Sequence, residues 1–147
     1  MKTMILVWGT SERGKSQSIK QLSIKMPFSS FISPWQNDDY DSYVIGTVIG
    51  IDNKEHIVGI ESQGDPYSNQ KDWIEKCIAA DCEVIVAASR TYGQTVRDAY
   101  QLAHDNSYEV VEVTTHFHKG GPKLPNGLDL RDVFAENMLN LVFKCLA

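Results

Sequence analysis

The segment Thr3-Met-Ile-Leu-Val-Trp8-Gly9-Thr-Ser-Glu-Arg-Gly14-Lys15-Ser16 gives the clearest structural signal in this 147-residue sequence. It begins with an unbroken apolar run that ends at Gly9, which is typical of a strand buried on both faces of a sheet. From Lys15 onward, apolar residues recur at helical spacing until Pro27 stops the pattern. The start of the chain therefore predicts a buried strand, a loop and a helix in direct succession.

Strand and helix patterns continue to alternate downstream. Two β-rich runs, Tyr43 to Ile51 and His56 to Ile60, are separated by a polar turn, which predicts an antiparallel hairpin. Helical patterns follow at Trp73 to Ile78 and Val96 to Ala103, and further strands are predicted at Glu83 to Ala88 and Tyr108 to Thr114.

The two segments outside this alternation are a loop and a closing helix. Residues 28–42 are rich in Ser, Asn and Asp and have no clear period, so we expect a surface loop. The last helix contains the apolar pattern from Leu130 to Val142, with Asp129 as its predicted N-cap. The whole order predicts an α/β fold with a mostly parallel, five-stranded sheet, helices on both of its faces, and a single domain spanning 1–147.

Composition limits the possible partners. The sequence has 14 basic and 19 acidic residues, for a net charge of −5, and 42% hydrophobic residues, which are enough for a core at this length. Net acidity disfavours nucleic acid or an anionic membrane as a partner, because both require a surplus of Lys and Arg. Five basic residues lie within 1–27 beside one acid, Glu12, so a small anion held by one loop is compatible with the charge.

The sequence shows no feature of membrane insertion or export. No apolar run reaches the roughly 18 residues that a membrane span needs, and the N-terminus lacks the pattern of a signal peptide. We therefore expect a cytoplasmic protein.

Cysteine and histidine spacing does not predict a metal centre. Cys77, Cys82 and Cys145 fit neither a disulfide framework nor a zinc ribbon, which predicts reduced thiols in the core. His116 and His118 could face one side of a strand and hold a metal, but with no third ligand a polar loop edge is the favoured interpretation.

Residues 9–16 satisfy the pattern G-x-x-x-x-G-K-[ST] at every position, between the predicted buried strand and helix. A loop of this length directs successive backbone N–H groups and the positive end of the helix at a phosphate. Gly9 and Gly14 permit backbone angles that a side chain would obstruct. The segment resembles the Walker A loop of P-loop NTPases.

The resemblance implies a three-layer α/β/α P-loop fold and roles for two side chains. Lys15 would bring its charge to the β- and γ-phosphates, and the Ser16 hydroxyl would be a ligand of Mg²⁺. Glu12 departs from the pattern, because many small kinases have a further glycine there, and its acidic side chain must point away from the phosphates.

A second segment, Ile57-Val-Gly-Ile-Glu61-Ser-Gln-Gly64-Asp65, is similar to a Walker B element, a hydrophobic strand that ends in an acid binding Mg²⁺ through water. The family more often has Asp at the position of Glu61. Glu61-x-x-Gly64 is also similar to the D-x-x-G switch of GTPase-like P-loop proteins, in which the glycine senses the γ-phosphate. Asp65 would then orient the attacking water. The alternative is a strand end followed by a Gly-Asp-Pro turn.

Arg90 follows the predicted strand Glu83 to Ala88, at the nucleotide edge of such a sheet. It could stabilise charge on the transferred phosphoryl group, or cap a helix or pair with a surface carboxylate. The N-K-x-D motif of guanine-specific GTPases is not present in this region, which favours ATP over GTP.

Taken together, the resemblance implies a Mg²⁺-dependent nucleoside-triphosphatase that cleaves the β–γ bond of ATP. The implied catalytic residues are Lys15, Glu61, Asp65 and Arg90, and the implied metal ligands are Ser16 and Glu61. The implied nucleotide-binding residues are Gly9, Thr10, Ser11, Glu12, Arg13, Gly14, Lys15, Ser16, Gln17 and Gly64. Two alternatives use the same phosphate loop: a kinase that transfers the γ-phosphate to a small molecule or nucleotide, and a non-catalytic switch or adaptor with a protein partner.

Overall fold

The fold is that of a computed structural model, which describes residues 1–8, 15–37, 42–62, 70–89, 93–116 and 118–146. Within these residues the chain forms six strands and four helices. The strands are β1 (Lys2–Trp8), β2 (Ser30–Asn37), β3 (Ser42–Ile49), β4 (Glu55–Glu61), β5 (Val84–Ser89) and β6 (Tyr108–Thr114), and the helices are α1 (Lys15–Lys25), α2 (Gln70–Ala79), α3 (Gln94–Asp105) and α4 (Leu130–Cys145).

The described strands form one mixed sheet in the order β2-β3-β4-β5-β1-β6. β1 pairs with β5 and β6 in parallel, and β4 pairs with β5 in parallel. β3 is antiparallel to both β2 and β4. The α/β class and the antiparallel hairpin, here β3 and β4, are therefore confirmed.

The prediction of five strands is wrong, because β2 forms within the segment 28–42 that was expected to be a loop. Its register against β3 shifts twice, so the sequence has no regular alternation there. Hydrogen bonds to one residue of β3 help hold it: Ser29 N donates to Thr47 O at 2.8 Å, and the hydroxyls of Ser29 and Ser30 lie 3.0 and 2.5 Å from Thr47 Oγ1. Pairing with β3 thus overrides weak local propensity.

The buried apolar side chains form two clusters, and β1 contributes residues to both of them. Successive residues of β1 point to opposite faces, so Ile5 and Val7 join one apolar cluster with Ile19 of α1 and Phe134 of α4. Met4 and Leu6 join a second cluster with α2 and α3, which contribute Ile74, Cys77, Ala99 and Ala103.

Two smaller predictions, the N-cap of α4 and the free thiols, are also confirmed. Asp129 is the N-cap of α4, and its side chain accepts a hydrogen bond from Arg131 N at 2.9 Å. The cysteines are free thiols, and Cys77 and Cys82 are buried. Among the described helices, none combines the length and the apolar character that crossing a membrane requires.

Candidate functional site

The carboxyl ends of β1, β4 and β5 meet at one edge of the sheet. Trp8, the last residue of β1, is in register with Ser89, the last residue of β5. Glu61, the last residue of β4, is in register with Ala87 on the other side of β5. Because β5 lies between β1 and β4, the ends of those two strands are about 10 Å apart, twice the usual spacing of neighbouring strands.

Lys15 is the first residue of α1, and its side chain reaches the end of β5. Its side chain is buried, and its Nζ donates a hydrogen bond to Ser89 O at 2.6 Å. A buried ammonium requires compensating partners, and a strand-end carbonyl is one of them. The lysine of the sequence motif is therefore held at the carboxyl edge of the sheet.

Ser16 connects α1 to the residue that follows β4. Its half-buried hydroxyl donates to Ser62 O at 3.4 Å, a long hydrogen bond. Gln17, the next residue, is exposed on α1. Lys15 and Ser16 thus contact the ends of two different strands, Ser89 of β5 and the residue after Glu61 of β4.

The carboxylate of Glu61 is completely buried. Its Oε1 accepts hydrogen bonds from Ala88 N at 3.1 Å and from Gln70 Nε2 at 3.3 Å. The hydrogen bond from Ala88 N lies one residue beyond the last register pair of β4 and β5, Glu61 and Ala87. Its acceptor is a side-chain oxygen instead of a backbone carbonyl. Glu61 therefore has a structural role at the strand end, and two donors fix the orientation of its carboxylate.

Gln70 is a part of this site that the sequence did not predict. It is the first residue of α2, it is buried, and its Nε2 donates to Ala88 O as well as to Glu61. A glutamine at a helix start belongs to no short motif, so its only sequence signal is a polar residue before the apolar pattern of α2. Ser62 and Ser89 were also missed, because the atoms involved in the contacts described are backbone carbonyls.

The other predicted site residues lie outside the described part of the chain. They are Gly9, Thr10, Ser11, Glu12, Arg13, Gly14, Gly64, Asp65 and Arg90. The described residues beside them, Trp8, Lys15, Ser62 and Ser89, belong to the carboxyl edge of the sheet or contact it. The roles assigned to the residues outside the description stay predictions.

The structure describes the surroundings of both histidines that were considered as metal ligands. His116 Nε2 lies 3.2 Å from Asn137 Nδ2, and its ring meets Phe134 edge-on with centroids 5.9 Å apart. His118 is exposed. Within the described ranges, no group of three or more His, Cys, Asp or Glu side chains is arranged to hold a metal ion.

The described residues thus define an α/β protein with a mixed sheet and a buried polar cluster at its carboxyl edge. Comparison of the chain with family models, curated proteins and solved structures gives no match. The motif at 9–16 and the contacts of Lys15, Ser16 and Glu61 are the observations that bear on function.

Proposed function

We propose that this chain is an ATP-binding P-loop protein and a Mg²⁺-dependent nucleoside-triphosphatase that cleaves the β–γ bond. The observation that carries the proposal is the position of Lys15 at the start of α1, with its Nζ 2.6 Å from the carbonyl that ends β5. In open α/β sheets, ligands bind outside the carboxyl ends of the strands. The position of the motif lysine at this edge supports the proposal.

In this proposal Lys15 binds the β- and γ-phosphates. An ammonium has three donors, so Lys15 can keep its hydrogen bond to Ser89 O while donating to phosphate oxygens. The contact with Ser89 holds the charge in place before the nucleotide arrives, which lowers the cost of ordering this long side chain. Arg90, one residue beyond Ser89, is proposed to offset the charge that develops on the transferred phosphoryl group.

Ser16 and Glu61 are the proposed magnesium ligands. Hydroxyl and carboxylate oxygens are hard donors that suit Mg²⁺, and the hydroxyl of Ser16 reaches the residue next to Glu61. Bound Mg²⁺ would supply charge stabilisation at the phosphate oxygens. The hydrogen bonds from Ala88 and Gln70 orient the Glu61 carboxylate, which with Asp65 is proposed to position the attacking water.

The proposal includes the finer architecture of the family. We infer a three-layer α/β/α arrangement in one domain, with α1 and α4 on one face of the sheet and α2 and α3 on the other. The shared apolar clusters support this assignment of the helices. The additional strand β2 extends the sheet beyond the hairpin.

The experiment is a phosphate-release assay with purified protein, ATP and Mg²⁺, and no added acceptor. We expect phosphate release that Lys15→Ala abolishes. Lys25→Ala is the matched control, because Lys25 is exposed at the other end of the same helix. Release that is absent from the wild-type protein, or equal in Lys15→Ala, contradicts the proposal. ATP consumption only after adding a small-molecule acceptor would identify a kinase.

A further inference from the structure

A cavity of about 320 Å³ lies between the first half of α3 and the carboxyl edge of the sheet. It is lined by Leu6, Trp8, Ser89, Val96, Tyr100 and Glu112. Its volume is at the lower end of the range found for small-molecule sites.

Alternation along the strands explains why these residues share one cavity. Leu6 and Trp8 are two positions apart on β1 and point to the same face. Glu112 of β6 is in register with Leu6, and Ser89 of β5 is in register with Trp8. Val96 and Tyr100 are four positions apart on α3, which places them on one side of that helix. The sheet supplies four of the lining residues and the helix supplies two.

The lining has the chemistry of a site for a flat heteroaromatic ring. Two aromatic side chains, Trp8 and Tyr100, offer surfaces on which a ring can stack. Glu112 is exposed at the cavity and provides a carboxylate that accepts from N–H groups. The same carboxylate repels phosphate, so a neutral ring with N–H donors is favoured over an anionic group.

Ser89 joins this cavity to the proposed phosphate site. It lines the cavity, and its carbonyl oxygen accepts the hydrogen bond from Lys15. A ligand whose phosphates bind Lys15 can therefore extend its uncharged part into the cavity. Trp8 strengthens the connection, because it lines the cavity and directly precedes the motif at 9–16.

We propose that this cavity binds the purine base of the triphosphate, with the ring against Trp8 and Tyr100 and an N–H group donating to Glu112. This inference rests on the proposed function and adds the determinants of base recognition. Phosphate binding at Lys15 is independent of the base, so the two proposals are separable by experiment.

The first experiment compares the affinities of Mg–ATP and Mg–tripolyphosphate by titration calorimetry. We expect Tyr100→Ala and Glu112→Ala each to weaken ATP binding by about tenfold, in line with the effect of losing one stacking or polar contact to a base, and to leave tripolyphosphate binding unchanged. Glu109→Ala is the control, because Glu109 is an exposed residue of the same strand. It is three positions from Glu112, so the two side chains lie on opposite faces of the sheet. Retained tripolyphosphate binding also shows that each variant is folded.

The second experiment uses Trp8 as a reporter. The sequence has three tryptophans, so replacing Trp35 and Trp73 by Phe leaves Trp8 as the only one. We expect Mg–ATP to quench its fluorescence and Mg–tripolyphosphate to leave it nearly unchanged, because only the base stacks on the indole.

The outcomes separate the two proposals. Equal Lys15-dependent affinities for ATP and tripolyphosphate, or equal effects of Glu112→Ala on both ligands, would overturn the base site and leave the proposed function intact. Binding of neither ligand, or binding that Lys15→Ala does not weaken, would overturn the proposed function and the base site with it.

Discussion

At the residue scale, one amide side chain links two acceptors at the carboxyl edge of the sheet. Gln70 Nε2 donates to both Glu61 Oε1 and Ala88 O, and both glutamine and glutamate are buried. A buried acceptor without a donor retains its full desolvation penalty, whereas a satisfied one contributes little net energy. Gln70 therefore helps to compensate the burial of the Glu61 carboxylate, together with Ala88 N.

Removing this amide is expected to destabilise the protein. For Gln70→Ala we expect a loss of about 1–3 kcal/mol in the free energy of unfolding, because the acceptors Glu61 and Ala88 each lose a donor. Urea denaturation measures the loss. Gln101→Ala is the control, because Gln101 is exposed on α3 and its side chain donates to a surface carboxylate, Asp105. Equal losses in the two variants would contradict this role for Gln70.

A second polar cluster lies at the opposite end of β4. The buried ring of His56 has Nδ1 2.7 Å from Glu83 Oε2 and Nε2 2.8 Å from Asp52 Oδ1. The hydrogen bond to Asp52, followed by that to Glu83, raises the pKa of His56 above its ordinary value, while burial opposes the shift. The protonated ring can donate to both carboxylates at once.

This arrangement predicts a pH-dependent contribution to stability. The contribution of His56 is complete below its unfolded pKa of about 6.5 and is lost as pH rises through the raised folded-state pKa. We therefore expect His56→Gln to lower the melting temperature more at pH 6 than at pH 9. His104→Gln, at an exposed position, serves as the control. A loss for His56→Gln that does not change with pH would refute the prediction.

At the scale of elements, β4 and α2 are in unusually close contact at Gly59. A Cβ atom at this position would overlap Sγ of Cys77 on α2 and lie 3.2 Å from Sγ of Cys82. Both thiols are fully buried, and a hydrogen bond to Cys82 together with burial raises the pKa of Cys77. The small residue in β4 lets the helix approach the sheet.

The close approach of Gly59 and Cys77 predicts that removing the Cys77 sulfur lowers the cost of a larger residue at position 59. Gly59→Ala is expected to destabilise the protein by about 1–3 kcal/mol, the usual cost of overpacking a core. In a Cys77→Ala background the same change should cost less, because the overlapping sulfur is absent and the remaining neighbours, Cβ of residue 77 and Sγ of Cys82, are 3.1 and 3.2 Å away. A double-mutant cycle in urea measures the coupling. A coupling energy of zero would contradict the proposed contact.

The sequence predicted elements well where a local signal existed. Asp129 before an apolar periodic pattern identified the start of α4, and the polar turn identified the β3–β4 hairpin. β2 was missed because its shifted register leaves no alternation to detect. The position of β5 between β1 and β4 was also not predicted, because strand order depends on how helices cross the sheet and not on local pattern.

Among the site residues too, those in short motifs were predicted and one that depends on distant contacts was missed. Lys15, Ser16 and Glu61 were found because they belong to short motifs, and the structure brings them to one edge of the sheet. Gln70 was missed because its role depends on a residue nine positions earlier and on a strand eighteen positions later.

At the scale of the whole molecule, the parallel strands gather distant segments at their carboxyl ends. Lys15 and Ser89 are 74 positions apart, and Ser16 and Ser62 are 46 apart. Of the basic residues in the first 27 positions, Lys15 is held at this edge by its hydrogen bond to Ser89, in a chain with a net charge of −5. The charge disfavours a large polyanionic partner and allows a nucleotide.

The most direct measurement of the central claim is the thermal stability of the protein with and without Mg–ATP. At a concentration 100 times Kd, a ligand that binds only the folded state stabilises it by about 2.7 kcal/mol. We predict a clear rise in melting temperature for the wild type and for Lys25→Ala, and no rise for Lys15→Ala relative to its own ligand-free form. No rise in the wild-type protein, or an equal rise in Lys15→Ala, would contradict nucleotide binding at this site.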